Sequence, residues 1–434
     1  MKALTTAVFL VSAPAALLFA QGVAPVRLNL QEAAALALKN HPLVQAARDV
    51  FSAMTQRITE ARAAYYPDFN ADITGSQANP RARIGAGFLT TSSMFNRIGV
   101  GFSLNQMISD WGRTPNLVAE ARLRTQATQQ DYQATRDDVL LGVNRAYFLT
   151  LRAQALIKVA RETVAARQLL VDQVTALARN NLRSQLDVSF VGVNLAQARL
   201  LLIQSQNEVQ AAYAEMTRAL GQEQPAAYEL MEQPLPPSPP EDVERVVMVA
   251  VENRPELASL RLSVQAANRF EEAEKDLTRP SVSFNGVGGY IPYVNQITLP
   301  RVIPSEYEGV GVNVQIPLFN GHLFSARREE AHYRVLEADQ RLRDRLEQVE
   351  RDVRTAWASS FTAYQRLDVT AQFLREATLA LNLAQGRYDL GLASIVELTQ
   401  GQLNLTQAEI ENLSAKYDYQ IQYANLQYTI GALR

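Results

Sequence analysis

The chain has 434 residues, enough for about three ordinary domains. Its 42 Lys and Arg against 44 Asp and Glu leave a net charge of −2, which excludes the basic footprint of a nucleic-acid binder. Cysteine is absent, so disulfides, thiolate metal sites, a cysteine nucleophile and an acylated N-terminal cysteine are excluded. Three scattered histidines, His41, His322 and His332, leave little for a histidine-based metal or catalytic centre.

Met1-Lys2 opens an apolar run that reaches Ala20 and is interrupted by Pro14. One positive charge, a short apolar core and a small residue before Gln21 read as a secretory signal peptide over 1–20. No later stretch reaches the roughly 18 apolar residues of a membrane helix. An exported chain without such a helix is either soluble or a β-barrel.

Next come two stretches of alternating character. Phe69-Asn70-Ala71-Asp72-Ile73-Thr74 is the first. In the second, Ile98, Val100, Phe102 and Leu104 alternate with Gly99, Gly101, Ser103 and Asn105. Residues 116–224 then contain no proline, which predicts a very long helix from about Pro115 to Asn180. Asn181 suits a left-handed helix end and Ser184 suits the start of a returning helix, so the block reads as a helical hairpin. Pro234-Leu235-Pro236-Pro237-Ser238-Pro239-Pro240 is a semi-rigid connector.

The second half repeats this plan. Ser281-Val282-Ser283-Phe284-Asn285 is one strand, and Val310, Val312, Val314 and Ile316 form the apolar side of another. Leu342, Leu346, Val349, Val353 and Trp357 step at the helical period of about 3.6, as core packing requires. Gly391 and Ser394 supply the stop and restart of a second hairpin. Asn40-His41-Pro42 recurs as Asn253-Arg254-Pro255 at an offset of 213. Val143, Tyr147 and Leu151 fall on Val353, Trp357 and Phe361 at an offset of 210. The organisation is therefore a first unit over 21–221, a Pro-rich linker over 222–241 and a second unit over 242–434. Aromatics gather near the strand ends (Tyr65, Tyr66, Trp111, Tyr290, Tyr293, Phe319), as membrane girdles do. Four strands cannot close a barrel, and open edges cannot sit in lipid. Two, three or four copies would close one, and arithmetic does not choose.

The chain resembles the TolC family of outer-membrane efflux channels across essentially its whole mature length. The resemblance rests on Leu28-Asn29-Leu30-Gln31-Glu32-Ala33 running to Asn40-His41-Pro42, and on Ala61 through Tyr66-Pro67. It rests further on Gly311 through Ile316-Pro317-Leu318-Phe319-Asn320-Gly321 and on Arg387-Tyr388-Asp389-Leu390-Gly391. Two departures stand out. Met107-Ile108-Ser109-Asp110 replaces a Pro-Leu-Phe form, and Asn181 replaces the first tip glycine. The resemblance implies a mixed α and β membrane protein: a homotrimer with a 12-stranded barrel in outer-membrane lipid, four strands per chain, continued by a periplasmic α-helical barrel. It implies a periplasmic adaptor and an inner-membrane transporter as partners, no nucleic acid, no cofactor or metal, and no enzymatic chemistry. Small molecules or proteins would leave through the duct.

By the same resemblance the hairpin tips form the closed periplasmic end. Asp187, Tyr388, Glu397 and Gln400 are the candidate aperture residues, with threefold symmetry turning each acid into a ring that favours cations. A Tyr388–Asp187 hydrogen bond is the expected latch, and Tyr388→Phe is expected to raise conductance. The tips Asn181, Leu182, Arg183, Ser184, Gly391, Leu392, Ala393 and Ser394 are the candidate adaptor contact. Ser103, Asn105, Asn313 and Gln315 are the candidate lumen lining. The competing reading is a periplasmic coiled-coil scaffold without a pore. A secreted hydrolase has no GxSxG or HExxH to support it.

Overall fold

The computed structural model describes residues 26–77, 83–86, 89–93, 96–224, 228–295 and 306–433. The expected signal peptide and the side chain of Tyr293 lie outside the described residues. The chain opens with a short strand β1 (Val26–Leu28) and helices α1 (Leu30–Asn40) and α2 (Pro42–Arg62). Asn29 caps α1 in a reciprocal box with Glu32, and Pro42 sits at the first turn of α2, where its missing N–H costs nothing.

Strand β2 (Asp68–Ser76) follows, then β3 (Arg83–Ala86), β4 (Leu89–Ser93) and β5 (Asn96–Ser109). The first hairpin is α3 (Arg113–Arg179) and α4 (Gln185–Ala219). A short β6 (Tyr228–Leu230) leads into the connector, then α5 (Val243–Asn253), α6 (Pro255–Lys275), β7 (Ser281–Asn295) and β8 (Glu306–Gln315). The second hairpin is α7 (Leu323–Asp389) and α8 (Ile395–Thr429). Helices α3 and α7 both have 67 residues, and α4 and α8 both have 35. At 1.5 Å per residue the long arms extend roughly 100 Å.

Strands β2, β5, β7 and β8 form one antiparallel sheet in that order. Its registry puts Phe69, Ile73, Val100, Phe102, Val310 and Val312 on one face, all exposed. Phe69 and Phe102 stack there with centroids 5.6 Å apart. One end of the sheet carries Tyr65, Tyr66, Trp111 and Phe319, all exposed. Strands β2 and β8 are the open edges among the described residues.

Below the sheet, the hairpins share a core with the shorter helices. Ala33, Ala37, Val143, Tyr147, Met216 and Leu220 are fully or almost fully buried together. The second half has the matching cluster of Ala250, Leu257, Val349, Val353 and Leu426. These two clusters hold the expected stripes.

Two features escaped the sequence reading. Strands β1 and β6 pair in parallel beneath Tyr147, and β3 and β4 form a small hairpin between the two alternating stretches of the first half. The connector is also strapped down rather than merely stiff. Tyr147 donates to the Met231 carbonyl at 2.6 Å, and Trp357 donates to the Pro240 carbonyl at 2.7 Å. Tyr419 donates to the Pro237 carbonyl, and Gln420 to the Gln233 carbonyl at 3.0 Å. Proline-rich chain has few N–H groups, so side chains must find its carbonyls. One further correction concerns α4. It is long and apolar enough to cross a membrane by length and composition, although the sequence reading found no such segment. The structure instead folds it against α3 as half of a hairpin.

Candidate functional site

Both hairpin tips are built alike. At the first, Asn181 takes φ 59° and its N–H meets the Ala178 carbonyl at 3.0 Å, while Leu182 N–H meets the Leu177 carbonyl at 3.0 Å. At the second, Gly391 takes φ 74°, and the matching bonds run to Tyr388 and Arg387. This is the Schellman closure, in which a left-handed residue lets two late carbonyls find donors. Asparagine tolerates that conformation, which is how it stands in for glycine. Ser184 and Ser394 then cap the returning helices, accepting from Asp187 and Glu397 N–H. Leu182, Leu390 and Leu392 stay exposed at the extreme end.

The aperture candidates lie near one another but do not bond as expected. Tyr388 is buried among Leu170, Val174, Val191, Ile395 and Leu398, so the second hairpin's tyrosine packs on the first hairpin's helices. Its hydroxyl has no hydrogen-bond partner among the described residues. The expected Tyr388–Asp187 latch is therefore not formed within the chain. The Asp187 carboxylate instead accepts the Ser184 N–H at 3.1 Å in a capping box. A helix N-terminus holds a carboxylate well, and that local competitor wins. Burial pushes the Tyr388 hydroxyl pKa up; nearby Arg183 opposes the shift, and the Asp187 and Asp389 carboxylates reinforce it.

Two arginines not assigned to the aperture organise the site. The Arg183 guanidinium lies over the Tyr388 ring, 4.6 Å from its centroid. Arg387 pairs with Glu397 at 3.0 Å and donates to the Leu392 carbonyl at 3.3 Å. Gln400 donates to Asn404 one turn along at 2.9 Å.

At the other end, the sheet's second face carries all four lumen candidates. Asn105 stands between Asp68 and Asn285, Ser103 between Asn70 and Val287, and Asn313 and Gln315 oppose Ser283 and Ser281. Asp72, on the same face, accepts from the Ser103 hydroxyl at 3.3 Å and was not singled out from sequence. Tyr307 is a second omission. It shares one row with Gly289, Gly101 and Asp72, and its ring crosses both glycines. Adjacent glycines in facing strands were the available signal.

A sheet with one largely apolar face, broken by Glu306 and Glu308 near one end of β8, and one largely polar face thus joins two long hairpins with exposed leucines at their tips. The family model described as outer membrane efflux protein matches residues 33–222 and 246–432. The chain belongs to that family. It is similar to the outer membrane protein TolC of Vibrio cholerae, 24% identical over 93% of this chain and 91% of the relative. It is also similar to the alkaline protease secretion protein AprF of Pseudomonas aeruginosa, 26% identical over 94% and 85%. Among solved structures, a membrane protein from Pseudomonas aeruginosa superposes with TM-score 0.80 at 20% identity, covering 93% of each chain. The CmeC outer membrane channel of Campylobacter jejuni superposes with TM-score 0.77 at 18% identity, covering 93% of this chain and 85% of that one. A member of this family resides in the outer membrane and serves as an exit channel rather than an enzyme.

Proposed function

We propose that three copies of this chain assemble into one exit duct, with a barrel of 12 strands in outer-membrane lipid and a helical tube below it. The observation that carries this reading is the sheet: four strands, one largely apolar face, and two edges unpaired among the described residues. Each unsatisfied backbone group in lipid costs several kcal/mol, so the edge of β8 must meet β2 of another copy. The helices tell the same story. Leu186, Phe190, Val193 and Leu200 are exposed along α4, as are Val369, Phe373 and Leu383 along α7. Those stripes are suited to covering one another between copies.

Residues 1–20 direct export, and the two units over 21–221 and 242–434 build matching sixths of the tube. The tips at 181–184 and 391–394 dock a periplasmic adaptor, which joins the duct to an inner-membrane transporter that supplies the energy. Asp187, Glu397, Tyr388 and Gln400 surround the aperture. Ser103, Asn105, Asn313 and Gln315 face water in the barrel. Purified protein in detergent is expected at three times its chain mass and conducts ions in planar bilayers. A monomeric, non-conducting protein would sink the duct and leave the coiled-coil scaffold standing.

A further inference from the structure

We infer that the periplasmic end is held shut within each protomer by the Arg183 guanidinium clamped on the Tyr388 ring, not by a tyrosine hydroxyl bond. The inference rests on the exit-duct reading and names the contact that governs its aperture.

Four observations converge on it. The Arg183 guanidinium sits 4.6 Å from the Tyr388 centroid, well inside the roughly 6 Å reach of a cation–π contact. The two residues belong to different hairpins, Arg183 on the turn between α3 and α4 and Tyr388 on the last turn of α7. Splaying the hairpins must separate them. The hydroxyl that a polar latch would use is buried without a partner among the described residues. The acid such a latch would need is held by its own helix start, through Ser184 N–H to Asp187 at 3.1 Å and Asp187 N–H to Ser184 at 3.1 Å.

The rest of the tip leaves this role to Arg183. Arg387, the neighbouring cation, is already tied to Glu397 and the Leu392 carbonyl. Beneath the clamp, Tyr388 rests on Leu170, Val174 and Val191 of the first hairpin, so the ring is sandwiched between apolar side chains and a cation. A planar guanidinium suits that face better than an ammonium would.

Wild-type protein and variants reconstituted in planar bilayers test this. Arg183→Ala and Tyr388→Leu are each expected to raise the time-averaged conductance by at least about tenfold, since every chain loses one partly desolvated cation–π contact worth about a factor of ten. Tyr388→Phe keeps the ring and is expected to stay within about twofold of wild type. Combining Arg183→Ala with Tyr388→Leu is expected to open the end no further than either alone, because both remove one contact. A Tyr388→Phe protein that opens like Arg183→Ala would overturn the clamp in favour of a hydroxyl latch. An Arg183→Ala protein as closed as wild type, or additive effects in the double variant, would overturn it as well. If wild type and all variants fail to conduct at any voltage, the duct reading falls first and the clamp with it.

Discussion

The row Asp72, Gly101, Gly289, Tyr307 allows a test of the sheet's packing with an internal rescue. A Cβ added to Gly101 would land on the Tyr307 hydroxyl and lie 3.2 Å from the ring's Cζ and 3.1 Å from the Gly288 carbonyl. The obstacle is mostly the far end of a side chain. A Cβ added to Gly289 would sit 2.5 Å from the same ring and 2.5 Å from the Val100 carbonyl. Backbone in a paired strand cannot step aside without breaking the ladder between β5 and β7. Overpacking costs about 1–3 kcal/mol, so Gly101→Ala should fall near the low end and Gly289→Ala at or above the high end. Tyr307→Ser removes the ring and itself costs about 1 kcal/mol for a ring that is a little over half buried. Added to Gly101→Ala, it should erase that variant's penalty; added to Gly289→Ala, it should not. Gly311→Ala is the control, since nothing lies within 4 Å of its Cβ position. Urea unfolding of the detergent-solubilised protein gives the stabilities of wild type, the four single variants and the two double variants. Equal rescue of both glycine variants by Tyr307→Ser would refute the distinction between ring and backbone on which the reasoning rests.

Other outcomes follow from the same geometry. Tyr147→Phe should destabilise the chain by about 1 kcal/mol, because the buried hydroxyl's bonds to the Leu28 and Met231 carbonyls are lost; chemical denaturation measures this, and a change under a few tenths would contradict it. Gly221→Ala should be much worse than Gly391→Ala in the same assay. Both glycines have positive φ, but a Cβ at 221 would lie 2.7 Å from the His41 backbone while none lies within 4 Å at 391. Burial, with Asp138 and Glu256 nearby and Arg136 opposing, raises the Asp137 carboxyl to about 6. Its folded value lies above its unfolded one, so the charged form penalises folding above about pH 6, and below pH 4 the penalty vanishes. Asp137→Asn should therefore stabilise at pH 8 by about 1 kcal/mol, discounted because the group is only half buried, and by nothing at pH 3.5. A gain that persists at pH 3.5 would show another cause.

Much of this was legible because it is local or periodic. The absence of proline and the caps at Asn181, Ser184, Gly391 and Ser394 define the hairpins without reference to anything distant. A period of two places Ser103, Asn105, Asn313 and Gln315 on one face whatever the strands pair with. Long-range contacts were not legible. Strands β1 and β6 are three residues each and gain order only by pairing across some 200 positions. Hairpin β3–β4 has no clean apolar alternation to announce it. Tyr307 reads as one more strand aromatic until registry sets two glycines beside it. The Tyr388–Asp187 latch failed for a different reason. It paired two residues across hairpins and overlooked that Ser184 and Asp187, three apart, satisfy each other first.

The same local competition explains why the two halves, nearly superposable in length, do not behave alike at the tips. At the offset of 210, Arg183 corresponds to Ala393 and Tyr388 to Ala178. The cation and the ring thus meet once in each chain; the reciprocal contact would need Ala393 to reach Ala178, and neither has anything to offer. Likewise Glu397 pairs with Arg387, whereas its counterpart Asp187 faces Leu177 in that role and turns to its own cap. A tube of three chains would look sixfold by its helices and yet carry three clamps. Opening then has to release each chain's own pair of hairpins. A variant that supplied the missing pair, Ala178→Tyr with Ala393→Arg, should close the end further. Conductance that falls below wild type in that variant, and returns when Ala393 alone is restored, would show that a contact absent from one repeat is what leaves the aperture able to move.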